Sequence, residues 1–282
     1  MNSMIPYIVL MRLNRPVGIF LLGWPTLMAL WLAAGGLPDP RLIVIFILGT
    51  LVMRSLGCVI NDLTDRPFDG HVQRTQSRPL VTGAVTAKGA YTLCFILSII
   101  ACILVLCTNW ETVLLSTVAL GLTIVYPWMK RFFGAPQLIL GLAFSWAIPM
   151  AYMAQSGTLP LDCWLLFIAT VSWTIAYDTL YAMADKADDL KIGVKSSALF
   201  FGDNDKIAVN ILQIITIALF VFIGWRQQLN GYFATAIVFA VLFTLYQQYL
   251  IRDRNPTACF QAFLNHQWLG AGLFFGIFLG LH

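Results

Sequence analysis

Charge is scarce in these 282 residues. Asp, Glu, Lys and Arg together make up 11%, against 59% hydrophobic residues. A soluble globular domain carries about 25% charge, so a water-soluble fold is excluded. Period-two alternation of polar and apolar residues is also missing, which excludes a transmembrane barrel. What recurs instead is apolar runs of about 20 residues, each enough to cross a bilayer as a helix. No Lys or Arg precedes the apolar stretch from Ile5 to Met11, and no small-residue cleavage site follows the next one. That argues against a cleaved signal peptide, and the first full span reads as a retained anchor. None of Cys58, Cys94, Cys102, Cys107, Cys163 and Cys259 forms a CxxC. Most lie in apolar runs and read as small buried hydrophobes, with neither disulfides nor a metal inferred. The net charge of +4 is too small to suggest nucleic acid. Low-complexity segments and a separate soluble domain are absent, so residues 1–282 read as a single membrane domain.

The expected fold is all-α and polytopic, with about nine spans: 17–36, 42–60, 90–107, 112–129, 136–154, 161–180, 208–225, 232–250 and 265–281. Two of them carry disruptive residues, Pro149 in 136–154 and Asp178 in 161–180. Placing the N-terminus in the cytoplasm puts nearly all the basic loop residues on that side, and only Arg41 and Arg226 opposite. The positive-inside rule therefore predicts a cytoplasmic N-terminus and an outer C-terminus. Two cytoplasmic loops are expected to be long, 61–89 and 181–207, and they hold most of the acids.

Those acids are patterned. Asn61, Asp65 and Asp69 follow i, i+4, i+8. If the second span continues as a helix, they share one face; Pro67 complicates that continuation. Asp62 lies about 100° around the helix. In YDTLYAMADKADDL, residues Asp178, Tyr181, Asp185 and Asp189 form a second stripe. Stacked like charges destabilise a helix, so two such stripes at one membrane face point to bound cations. Hard oxygen ligands suit Mg²⁺, which takes one or two carboxylates plus substrate phosphates. Two facing stripes would hold two Mg²⁺ with a diphosphate between them. Arg74, Arg78, Lys130 and Arg131 stand at the same face and suit phosphate oxygens; Lys130 and Arg131 also read as snorkelling anchors. Arg54 lies within a span, seven residues before Asn61. An intramembrane Arg is a functional candidate, and a buried guanidinium suits a planar carboxylate. Mg²⁺–diphosphate chemistry within reach of lipid suggests an isoprenyl diphosphate donor, whose ionisation leaves an allylic cation for an electron-rich acceptor.

NDLTDRPFD and DTLYAMADKADD, about 115 residues apart, resemble the paired NDxxDxxxD and DxxYAxxDxxDD motifs of the UbiA family of intramembrane prenyltransferases. The flanking stretches NRPVGIFLLGWPT, MRSLGCVI, HVQRTQSRPLVTGAVT, YPWMKR and KIGVKSSALFFG narrow the resemblance to members that prenylate 4-hydroxybenzoate in ubiquinone synthesis. The resemblance implies helices around a central cavity in a bacterial inner membrane. Its substrates would be polyprenyl diphosphate and 4-hydroxybenzoate. It implies metal ligation by Asn61, Asp65 and Asp69, with Asp62 ranked lower, and by Asp185 and Asp189. Arg74, Arg78 and Lys130, with Arg131 and Tyr181 beside them, would bind substrate. Arg54 would take the acceptor's carboxylate, and Asp178 would stabilise the cation or orient the acceptor. Diphosphate, Asp178 and water remain candidate bases.

Two other readings compete. The same chemistry on dihydroxynaphthoate, homogentisate, haem or a glycerol phosphate would keep both motifs and change the surroundings of Arg54. A cation-coupled transporter would also use intramembrane acids, but the outer side holds just Asp39, Glu111 and Asp162, which define no exit path. His71 reads as a solvated loop residue, and His266 and His282 as isolated. The nine tryptophans read as belt or core.

Overall fold

The computed structural model describes residues 4–70 and 75–282. Among them there is no strand, and nine helical segments are long and apolar enough to cross a membrane. A short α1 (Ile5–Leu10) precedes α2 (Val17–Ala34) and α3 (Pro40–Asp69). Then come α4 (Ala87–Leu106), α5 (Trp110–Phe132), and the half-length α6 (Gln137–Ser145) and α7 (Ala147–Ser156). α8 (Leu161–Ile192) and a short α9 (Ser197–Phe201) lead into α10 (Asp205–Arg226), α11 (Gly231–Leu250) and α12 (Pro256–Gly280).

The expected spans are recovered, with three differences. Loops 61–89 and 181–207 are shorter than expected, because α3 runs on to Asp69 and α8 to Ile192. Hydropathy ends where the carboxylates begin, but a helix needs only its backbone ladder and continues as an amphipathic rod. Pro67 sits in the last turn of α3, so the bond it cannot give to the residue 63 carbonyl disturbs the helix only at its end. α8 stops at Gly193, whose φ of 73° suits glycine at a helix end. Segment 136–154 is split at Trp146, with Pro149 inside the first turn of α7. There its missing N–H has no helical partner to lose.

Polar caps start several of the spans. Asn109 accepts from the Thr112 N–H, and Asn255 from those of Thr257 and Ala258. A large buried core joins α2, α7, α8, α10, α11 and α12 around Met28, Trp173, Phe220 and Leu273. A smaller one joins α1, α3 and α4 around Leu10, Leu56 and Leu97. Outward faces carry Phe95, Ile103, Leu114, Ile211, Leu242 and Trp268 exposed, as a lipid-facing surface requires. Cys102 and Cys107 are on exposed positions too, contrary to the expectation of burial, while Cys58, Cys163 and Cys259 are buried.

Candidate active site

α2 to α8 enclose a cavity of about 890 Å³. Arg54, Asn61, Asp62, Asp65, Asp69, Arg78, Lys130, Arg131, Asp178, Tyr181, Asp185 and Asp189 all line it. Arg74 and His71 lie outside the described residues.

The extra helical turns of α3 position the first motif. Asn61 Nδ2 donates to Asp65 Oδ2 at 3.0 Å. Lys130, from the end of α5, donates to Asn61 Oδ1 at 3.1 Å and Asp65 Oδ2 at 2.9 Å. Asp62 is turned away from this trio. Arg12 grips both its oxygens, at 3.0 and 2.9 Å, and Arg78 lies 3.0 Å from Oδ1. Arg78 also donates to Asp69 Oδ2 at 2.6 Å. Burial pushes the Asp69 carboxyl above its usual pKa, with Arg78 pulling against the shift. For Arg78, burial works against the charge, but Asp62 and Asp69 outweigh it and raise the pKa. Asp62 thus serves as counterion to two guanidiniums in this structure.

On α8 the second stripe faces the same cavity. Tyr181 packs edge-on against Phe263 at 5.0 Å between centroids. Asp178 lies deeper, within electrostatic reach of Lys130, Arg54 and the Gln137 amide. Gln137 Oε1 accepts from the Ser197 N–H at 2.8 Å, tying α6 to the start of α9.

Arg54 is the deepest cation. Its Nε is buried without a hydrogen-bond partner, and its guanidinium carbon stands 5.6 Å from the Phe144 ring centroid. Gly18 makes room for it, since a Cβ there would overlap the guanidinium at Nε. Tyr126, Tyr177 and Asp178 surround it. The rest of the lining is largely uncharged, with Leu21, Leu22, Phe46, Val113, Leu140 and Met150 beside hydroxyl residues such as Thr26, Thr50 and Ser116.

Arg12, Gln137, Tyr126 and Tyr177 line the cavity as well, and sequence reasoning missed them as site residues. Arg12 carried only the signal of a basic residue before a span. His266 is not isolated: it is buried and its Nδ1 accepts from Trp173 Nε1 at 2.8 Å.

The model of the UbiA prenyltransferase family matches residues 22–275. The chain belongs to the UbiA prenyltransferase family. It is thus a prenyltransferase integral to a membrane. It is 52% identical over 275 residues to a 4-hydroxybenzoate octaprenyltransferase of Saccharophagus degradans, covering 98% of this chain and 92% of that protein. A protein of the same name from Tolumonas auensis is 53% identical over 275 residues, covering 97% and 96%. The fold is similar to a UbiA homolog from Aeropyrum pernix (TM-score 0.80, 24% identity, 91% of this chain and 96% of that one). A UbiA homolog from Archaeoglobus fulgidus bound to GPP and Mg²⁺ has a TM-score of 0.75, 19% identity and coverage of 97% and 99%.

The UbiA-type donor set fits a hard divalent cation. It offers carboxylate and amide oxygens from α3 and carboxylates from α8, with no thiol or imidazole among the described residues of either stripe. Among the described residues no three acidic, histidine or cysteine side chains converge tightly enough to hold a metal by themselves. Mg²⁺ in general completes its shell with water and substrate phosphate.

Proposed function

We propose that this enzyme transfers a polyprenyl group from polyprenyl diphosphate to 4-hydroxybenzoate, at the carbon ortho to the hydroxyl and meta to the carboxylate. Diphosphate is released, and the product feeds ubiquinone synthesis. The observation that carries this reading is the position of Arg54. A buried guanidinium with an unpartnered Nε sits between the acidic stripes and the apolar cavity, where an aromatic carboxylate would need it. The names of the relatives point to the same acceptor.

Asn61, Asp65 and Asp69 on one side, and Asp185 and Asp189 on the other, would hold two Mg²⁺ ions. When bound, Mg²⁺ withdraws charge from the departing diphosphate. Lys130, Arg78 and Arg131, with Arg74, bind the diphosphate oxygens. Lys130 and Arg78 are held in place by Asp65 and Asp69, so they are preorganised for an anion. Tyr181 bounds the donor's headgroup. The prenyl chain lies along the apolar lining. Arg54 fixes the acceptor's carboxylate and so presents the ring carbon to the allylic C1. The C1–O bond breaks, the C1–ring bond forms, and the ring proton passes to the released diphosphate, which restores aromaticity. Asp178, beside Arg54, faces the positive charge that develops. The N-terminus and the acidic end of the bundle lie in the cytoplasm of a bacterial inner membrane, with the C-terminus periplasmic.

A membrane assay tests this with radiolabelled 4-hydroxybenzoate, polyprenyl diphosphate and Mg²⁺. A lipid-soluble labelled product that EDTA abolishes is expected. Turnover of dihydroxynaphthoate or homogentisate but not 4-hydroxybenzoate would overturn the acceptor.

A further inference from the structure

α5 ends on Lys130, Arg131 and Phe132. Pro127 interrupts its ladder one turn earlier, because it has no N–H to give to the Thr123 carbonyl. The last carbonyls of any helix also lack helical partners. The Phe133 N–H takes the Met129 carbonyl at 2.8 Å. Two further bonds come from outside α5, and both from one residue. Lys195 donates its backbone N–H to the Lys130 carbonyl at 3.0 Å and its Nζ to the Phe132 carbonyl at 2.9 Å. Its ammonium also meets the negative end of the α5 dipole.

Lys195 stands in the connection between α8 and α9, and that connection is fixed on both sides. Before it, the Gly193 and Val194 N–H groups both donate to the Asp189 carbonyl. After it, the Ser197 N–H donates to Gln137 Oε1 at 2.8 Å. The Ser197 and Thr179 hydroxyls lie 2.8 Å apart. Thr179 gives its hydrogen to the Ile175 carbonyl at 2.6 Å, so Ser197 is the donor of that pair. A segment anchored to α8 and α6 thus delivers the cap of α5. The capped turn carries Lys130, whose ammonium reaches Asn61 and Asp65 on α3.

We propose that Lys195 is a positioning residue for Lys130: by capping the end of α5 from the α8–α9 connection, it holds the Lys130 ammonium where the donor's diphosphate binds. The proposal rests on the diphosphate-binding role given above to Lys130. The segment that follows the second acidic motif then sets donor affinity through a residue of another helix.

The test is equilibrium binding of a radiolabelled polyprenyl thiolodiphosphate to the full chain in detergent with Mg²⁺. Lys195→Met is expected to weaken binding about fivefold, the scale of one lost hydrogen bond. Lys195→Arg keeps a donor at the carbonyl and is expected to restore affinity to within about twofold on the same scale. KM for 4-hydroxybenzoate is expected to stay unchanged in both. Lys195 also lines the cavity, so a double-mutant cycle separates positioning from direct contact with the donor. In a Lys130→Met background, Lys195→Met is expected to cost nothing further. An additive loss there would make Lys195 a direct donor ligand and overturn the proposal. Unchanged affinity in Lys195→Met, failure of Lys195→Arg to rescue, or an equal loss for both substrates would also overturn it. Wild-type donor binding in Lys130→Met alone would instead overturn the role given to Lys130.

Discussion

Removing the Arg54 guanidinium separates acceptor binding from donor binding. Arg54 Nε has no protein partner to lose, so Arg54→Ala breaks no hydrogen bond at that atom, while Asp178 loses a nearby positive charge. A charge-assisted hydrogen bond contributes about 1.5–3 kcal/mol, and a guanidinium–carboxylate pair is commonly bidentate. Taking about 3 kcal/mol, with each 1.4 kcal/mol a factor of ten, KM for 4-hydroxybenzoate should rise on the order of 100-fold. KM for polyprenyl diphosphate should move little. The assay is initial-rate kinetics in membranes, varying one substrate at saturation of the other. Gly18→Ala should give a weaker version of the same phenotype from a different helix, because the new Cβ would collide with Arg54 Nε. A phenol lacking the carboxylate should be used equally by wild type and Arg54→Ala. A rise in the donor's KM with the acceptor's unchanged would refute the carboxylate assignment.

Asp65→Ala and Asp185→Ala should each lower turnover by at least about 1,000-fold, the scale on which electrostatic stabilisation of a departing charge is lost; near-wild-type rates at saturating Mg²⁺ would sink the two-stripe site. Asp62→Asn should raise the donor's KM several-fold, because Arg12 and Arg78 lose their shared counterion, while the Mg²⁺ concentration for half-maximal rate stays fixed. A shift in Mg²⁺ requirement alone would make Asp62 a metal ligand. Trp173→Phe removes the buried bond to His266 and should cost about 1–3 kcal/mol of stability, read as a lower melting temperature in detergent, with donor KM unaffected.

The membrane architecture was legible because long apolar runs are themselves the signal, and the stripes were legible because i, i+4 spacing survives without coordinates. Asn61, Asp65, Asp185 and Asp189 were singled out on that ground and line one cavity. Asp62 was harder. Its neighbour Asn61 joins Lys130, whereas Asp62 faces Arg12, fifty residues earlier in the chain. Only tertiary packing of α1 and its following turn against α3 brings that arginine in. The ends of α3 and α8 were misjudged because hydropathy tracks lipid contact, while a helix ends where its backbone is capped, as at Gly193. Lys186 carried only the signal of one more cytoplasmic charge, because its partner Asp205 comes from the start of α10.

The most direct measurement is a structure of the enzyme with Mg²⁺, a non-ionisable thiolodiphosphate donor and 4-hydroxybenzoate. The account predicts metal density between Asp65 on α3 and Asp185 on α8, with the acceptor's carboxylate about 3 Å from the Arg54 guanidinium. An acceptor bound away from Arg54, or diphosphate held by Lys130 and Arg78 with no metal at either stripe, would contradict it.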